Sequence, residues 1–123
     1  MTPRLSVVPY LTDIIEAIER VREKAGTSTL EEFKADWEQQ WIVQRGIEIV
    51  SEASRRLPED LKIRHPGIPW AKVAAIGNIM RHEYHQISPP LIWEIVRDHL
   101  PHVDKVCRDE LAAAQQLERD RGC

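Results

Sequence analysis

The stretch Ile68-Pro69-Trp70-Ala71-Lys72-Val73-Ala74-Ala75-Ile76-Gly77-Asn78-Ile79-Met80-Arg81-His82-Glu83-Tyr84 decides the fold. Pro69 suits the first turn of a helix, where its missing N–H costs nothing. Trp70, Val73, Ala74, Ile76, Gly77 and Met80 then recur as apolar or small residues at helical spacing. The pattern predicts a helix ending near His82, in front of a loop that leads to Ser88. Ala74, Ala75 and Gly77 allow another helix to approach closely. A glycine inside a helix costs about 0.5–1 kcal/mol relative to alanine, so Gly77 needs a reason, and packing at a dimer axis is the expected one.

C-terminal to this stretch, Ser88 is placed as an N-cap with Pro89 and Pro90 in the first turn, and Leu91, Ile92, Ile95, Val96 and Leu100 form a core face. Pro101 is expected to break or bend that element. A last helix carries Val103, Val106, Cys107, Ala114 and Leu117 and frays over Glu118 to Gly122. N-terminal to it, Leu11, Ile14, Ile15, Ile18 and Val21 mark a first helix over about residues 8 to 25, stopped by Gly26. Thr29 with Glu32 reads as a capping box opening Leu30 to Ala35, and Asp36 with Gln39 as a second start signal. From Trp37 to Leu57 a stripe of Trp41, Ile47, Val50, Ala53, Ser54 and Leu57 predicts a long helix closed by Pro58. Pro58 to Pro69 reads as a connection with one helical turn near Leu61 to Arg64. The sum is an all-α, antiparallel four- to five-helix bundle in a single domain spanning 1–123, with its core over 8–110.

Bulk properties fit this. With 123 residues, 42% of them hydrophobic, one adequate core can form, and five glycines with no alternating stretches favour helix over sheet. A net charge of −3 excludes a broadly basic nucleic-acid coat and confines any RNA contact to a local site. No apolar run approaches membrane-spanning length, and Cys107 and Cys123 have no CxxC or metal-ligand spacing, so a reducing cytoplasm is the expected location.

His82 stands where a helix end can meet a cleft, and it titrates near neutral pH, so it suits general acid–base work on a ribose 2′-hydroxyl. The plainer reading is a helix-terminal histidine that favours the dipole. His82 with His85, and His99 with His102, have i,i+3 spacing, but Pro101 and the lack of a third ligand argue against zinc. Arg55, Arg56, Lys62 and Arg64 form a basic cluster that could meet phosphate, although such clusters are usually solvated helix ends. Trp37, Trp41, Trp70 and Trp93 could stack on bases, but at helical spacing they read first as core or interface anchors, and Trp70 and Trp93 as packing residues. No phosphate loop, GxSxG or HExxH occurs, and no cofactor is expected.

The Ile68–Tyr84 run resembles the HepT branch of the HEPN superfamily, which typically reads I-P-W-x-x-[IV]-A-x-[ML]-R-N-x-L-x-H-x-Y. Leu91-Ile92-Trp93-Glu94-Ile95-Val96-Arg97-Asp98-His99-Leu100-Pro101 is similar to the family's I-V-W-E-x-V-x-x-D-L-P. Asp13 to Ile18 and Arg45 to Ala53 fit its first and third helical patterns. The resemblance spans about residues 8 to 110. It implies a HEPN bundle forming a two-fold homodimer, with two His-x-Tyr segments meeting in a cleft. It further implies a metal-independent endoribonuclease toxin that cleaves RNA by 2′-hydroxyl attack. Its partner would be an MNT-type nucleotidyltransferase antitoxin that adenylylates a tyrosine. By position the histidine is His82, the polar residue beside the motif arginine is Asn78, and the modified tyrosine is Tyr84.

The departure from the family pattern is Gly77, where the motif arginine would stand. A guanidinium is suited to stabilise the extra charge of a phosphorane-like transition state, and glycine cannot supply it. Either Arg81 or Arg45 replaces that charge and the chain is a ribonuclease, or it is a catalytically weak or inactive binding partner of a nucleotidyltransferase. Arg81 lies about 100° from His82 around a helix, so its direct substitution requires unwinding near the helix end. A helical dimer without nucleotide chemistry is the remaining alternative.

Overall fold

The computed structural model describes residues 6–83 and 87–122. Tyr84, His85 and Cys123, singled out above, lie outside the described residues. Four long helices carry the architecture: α1 (Val8–Ala25), α3 (Trp37–Arg55), α5 (Trp70–Glu83) and α7 (Leu100–Arg121). Three short ones join them: α2 (Leu30–Ala35), α4 (Glu59–Arg64) and α6 (Pro89–Glu94), and no strand occurs among the described residues. The all-α bundle expected from periodicity is thus observed. Helix α1 lies between α7 and α3, and α3 lies between α1 and α5.

Capping chemistry sets the starts of α2 and α3. The Thr29 hydroxyl accepts from the Glu32 amide (3.1 Å) while the Thr29 amide donates to the Glu32 carboxylate (3.0 Å), a complete capping box. Asp36 accepts from the amides of Glu38 and Gln39, so α3 begins with Asp36 alone separating it from α2.

The core is formed by Leu11, Ile14, Ile18 and Val21 of α1, Phe33 of α2, Val43, Ile47 and Val50 of α3, Met80 of α5 and Val103 and Cys107 of α7. Two glycines let α3 occupy the centre. A Cβ at Gly46 would run into the Val21 side chain, so α1 and α3 approach closely there. On the neighbouring side, a Cβ at Gly77 would lie 2.6 Å from Ser51 Oγ, so α5 and α3 meet at that point. Gly77 therefore packs against a helix of its own chain. The dimer axis expected to explain this glycine is not needed, because Ser51 explains it.

Several expectations are corrected. Trp41, placed on the buried stripe of α3, is 64% exposed, and Leu91 and Leu117, placed on core faces, are also exposed. Trp41 lies N-terminal to the α3 residues that reach α5, and Leu117 lines an open cavity. Pro101 does not break the helix: Ile95–His99 widens into a π-helical turn, with the Leu100 amide donating to the Ile95 carbonyl, and α7 continues directly. The wider turn takes up the clash that a proline ring makes with the carbonyl four residues earlier. Residues Glu118 to Arg121 are helical rather than frayed, and Ser6 donates to Glu118 at 3.0 Å. No helix among the described residues is long and apolar enough to cross a membrane.

Candidate functional site

The end of α5 is held against α3 at three levels. The Gly77 amide donates to Ser51 Oγ (3.1 Å), and that hydroxyl donates to the Ala74 carbonyl (2.9 Å). One turn on, Arg81 Nε lies 3.5 Å from a Glu48 carboxylate that is only 12% exposed. Gln44 then donates to the Met80 carbonyl at 3.4 Å. Residues 44, 48 and 51 meet residues 80, 81 and 77 in reverse order, so the two helices are antiparallel. Met80 is fully buried beneath, which fixes the rotation of α5.

This rotation turns Asn78 and His82 outward. Both are exposed, and as i,i+4 residues they are neighbours on one face, with Cβ atoms about 5–6 Å apart. Arg81 is on the adjoining face toward α3. The helix runs unbroken through Glu83, so Arg81 keeps its offset of about 100° from His82. Arg45 is exposed on α3. The structure thus brings Asn78 and His82 together, sets Arg81 beside them in contact with Glu48, and leaves Arg45 on the neighbouring helix. Tyr84 lies beyond the described residues.

Gln44, Glu48 and Ser51 were not among the candidates from sequence. One signal was present: Ser51 and Ser54 interrupt an apolar stripe at core positions, and both are buried and hydrogen-bonded.

The basic cluster is used elsewhere. Arg55 donates through Nε (3.0 Å) and a terminal nitrogen (2.8 Å) to the Ala74 carbonyl, and Arg56 lies 3.8 Å from Glu52. Arg64 donates to both oxygens of Glu110 at 2.8 and 3.2 Å, and His65 Nε2 is 2.8 Å from the same carboxylate. The Arg64 hydrogen bonds, assisted by His65 and opposed by burial, hold the Glu110 carboxyl below its usual range. Trp70 packs as expected, its Nε1 donating to the Lys62 and His65 carbonyls (3.1 and 3.0 Å). Trp93 lies against Phe33, ring centroids 5.6 Å apart. Arg56 and the Arg64–Glu110 pair border a cavity of about 590 Å³ between α1, α4 and α7, lined also by Tyr10 and Leu117. It contains none of Asn78, Arg81 and His82.

No group of three or more His, Cys, Asp or Glu side chains that could hold a metal ion forms among the described residues. Cys107 is fully buried, and burial together with the Asp104 and Glu110 carboxylates pushes its thiol up to about 12, which leaves it a packing residue rather than a nucleophile.

Comparison with known proteins bears on this arrangement. The sequence model of the family described as Ribonuclease HepT-like matches residues 14–110. A Thermococcus cleftensis protein named "Probable ribonuclease HepT" is 37% identical over 92 residues, covering 75% of this chain and 84% of that one. A Methanocaldococcus jannaschii protein named "Putative RNase MJ0127" is 30% identical over 111 residues, covering 87% of this chain and 92% of its own. No solved structure matches the chain.

Proposed function

The chain belongs to the HepT-like ribonuclease family, and from that premise we propose that it is a metal-independent endoribonuclease whose proton-transfer group is His82. The observation that carries this reading is the pairing of Asn78 and His82 on one exposed face at the end of a helix that α3 holds rigidly. His82 takes the proton of a ribose 2′-hydroxyl, O2′ bonds to phosphorus, and the P–O5′ bond breaks as water gives O5′ a proton, leaving a 2′,3′-cyclic phosphate and a 5′-hydroxyl, after which His82 releases its proton to solvent. Asn78 orients the phosphate. Arg81 supplies the positive charge that Gly77 lacks: it stays on the face adjoining His82 on unbroken α5, and its long, half-exposed side chain spans that offset by exchanging Glu48 for a phosphate oxygen, in place of the unwinding expected above.

The test is cleavage of single-stranded RNA in EDTA, with product ends read by mass spectrometry. His82→Ala is expected to lower the rate by about 10²–10⁴ and Arg81→Ala by about 10²–10³. A wild-type protein that leaves RNA intact refutes the reading.

The biological setting we infer is a cytoplasmic toxin–antitoxin pair in which the chain acts as a homodimer. An MNT-type nucleotidyltransferase would transfer AMP from ATP to the Tyr84 hydroxyl, releasing pyrophosphate. Tyr84 follows His82 by two residues, so the added anionic group would crowd the site and repel RNA phosphate. Incubation with such an enzyme and ATP should raise the intact mass by AMP units, and Tyr84→Phe should abolish the rise.

A second reading is favoured by Gly77 itself. With Ser51 filling the space beside it, no motif arginine can stand there, and the chain would serve as a catalytically weak or inactive partner and substrate of the nucleotidyltransferase. That reading expects adenylylation and complex formation with no RNA cleavage. Cleavage that depends on His82 excludes it.

A further inference from the structure

Two of the four tryptophans stand in solvent. Trp37 is 59% and Trp41 64% exposed, with ring centroids 5.0 Å apart and planes at 73°. Each exposed indole forgoes burial worth about 1.5–3 kcal/mol, so an adjacent pair on one helix face points to a ligand.

Their position on α3 says where that ligand lies. At 100° per residue, Trp37 and Trp41 share a side of the helix with Gln44, Glu48, Ser51 and Arg55, the residues that reach α5. The stripe that α5 covers is left open at its beginning. Gly77 and Ser51 touch, and from that level Trp41 lies about 15 Å along α3 and His82 about 7.5 Å along α5 in the same direction. Trp41 therefore stands about 7.5 Å past His82 at the same end of the helix pair, roughly the length of one nucleotide. One turn after Trp41 comes Arg45, exposed and with no ion pair to a carboxylate among the described residues. Of the nearby acids, Glu48 is engaged by Arg81, and Glu38 stands two turns, about 10 Å, before Arg45 along α3.

We infer that Trp37 and Trp41 form a base-stacking subsite for single-stranded RNA beside His82, with Arg45 meeting the backbone phosphate. Aromatic rings followed by a guanidinium along one groove edge are the pattern of sequence-tolerant single-strand binding, since every base offers a π-face. Interface cores between protein chains are depleted in charge, whereas this strip runs directly into Arg45 and has Glu38 next to Trp37 in the chain. The inference rests on the ribonuclease reading for its substrate class, and it adds where the unpaired bases lie.

The experiment uses full-length His82→Ala protein, so that bound RNA stays intact, with a 12-nucleotide oligouridine and a duplex of equal length as probes. Tryptophan fluorescence should be quenched by the single strand more strongly than by the duplex. Trp37→Ala and Trp41→Ala should each weaken binding about 5- to 100-fold, and Trp41→Phe should recover most of it where Trp41→Leu does not. Unchanged affinity in the alanine variants overturns the proposal. So does a loss of the native oligomeric mass in those variants by light scattering, which would assign the strip to contact between copies. Tryptophan-dependent binding without cleavage by wild type would retain the subsite and refute the ribonuclease. Cleavage with an unchanged KM in the tryptophan variants would do the reverse.

Discussion

The amide of Gly77 and the hydroxyl of Ser51 lie 3.1 Å apart, and that single contact sets how closely α5 packs on α3. A Cβ at position 77 would stand 2.6 Å from Ser51 Oγ and 2.8 Å from Ser51 Cβ. Overpacking of this kind costs about 1–3 kcal/mol, while replacing a helical glycine returns about 0.5–1 kcal/mol. Gly77→Ala should therefore destabilise the protein by about 1–2 kcal/mol in urea unfolding. In a Ser51→Gly background the obstruction is gone, and the same change should stabilise by about 0.5–1 kcal/mol. The two sites are coupled if the sign reverses; a stabilising Gly77→Ala in the wild type would contradict the packing.

Much of this was legible beforehand, and the boundary is physical. The α1 face, the Thr29–Glu32 box and the Pro69 start are local signals, set by spacing and short-range hydrogen bonds, and each appears where the sequence puts it. The reason for Gly77 was not legible, because it depends on Ser51, 26 residues away on a different helix. Trp41 illustrates the other failure. Its spacing fits the stripe of α3, but burial requires a neighbour at that level, and where α5 ends is a tertiary fact. For the candidate site, the shared face of His82 and Asn78 follows from their i,i+4 spacing, whereas Glu48 as the partner of Arg81 does not follow from any local signal.

Trp70 ties the start of α5 to the preceding connection through one indole nitrogen. Its Nε1 donates to two carbonyls, those of Lys62 and His65. Trp70→Phe keeps most of the apolar contact and removes the donor, while each carbonyl keeps a backbone partner, Lys62 the His65 amide and His65 the Ile68 amide. The cost should be about 0.5–1.5 kcal/mol by urea or thermal unfolding. Protection of the α5 amides from hydrogen exchange should fall first near Trp70.

Glu110 gives stability an acid limb. The Arg64 hydrogen bonds depress its carboxyl in the folded state, so the ionised form is favoured there. A group depressed in this way contributes stability that is complete above its unfolded value, about 4.3 for glutamate, and lost as pH falls through the folded value. Urea midpoints should drop on acidification below about pH 4.3, and Glu110→Gln should flatten that limb while lowering stability at neutral pH. An identical acid limb in the variant would assign the loss to other carboxylates.

Cys107 works in the opposite direction. Its thiol is raised to about 12 in the folded protein, against about 8.5 when unfolded. The neutral form is therefore favoured by folding: its contribution is intact below about pH 8.5 and erodes as pH rises from there toward the folded value. In a Cys123→Ser background, iodoacetamide at pH 8 should label Cys107 only as fast as the protein opens, and urea should accelerate labelling in step with unfolding. Rapid labelling of the native protein would show that the α1–α7 contact around Cys107 is looser than its complete burial implies.

The missing motif arginine can be reintroduced only if Ser51 makes room. Gly77→Arg alone forces its Cβ into Ser51 and should cost stability before any catalytic effect is seen. Gly77→Arg combined with Ser51→Gly gives the new side chain an exit along the α3–α5 seam, one turn from Arg81 and directly before Asn78 in the chain. If the charge at this point limits cleavage, the double variant should cut single-stranded RNA about 10²-fold faster than Ser51→Gly alone. It should then also tolerate Arg81→Ala, because either guanidinium can serve the transition state. A double variant that folds, as judged by circular dichroism, yet cleaves no faster would mean that Arg81 already supplies the full charge. Its sensitivity to Arg81→Ala would then match that of the wild type.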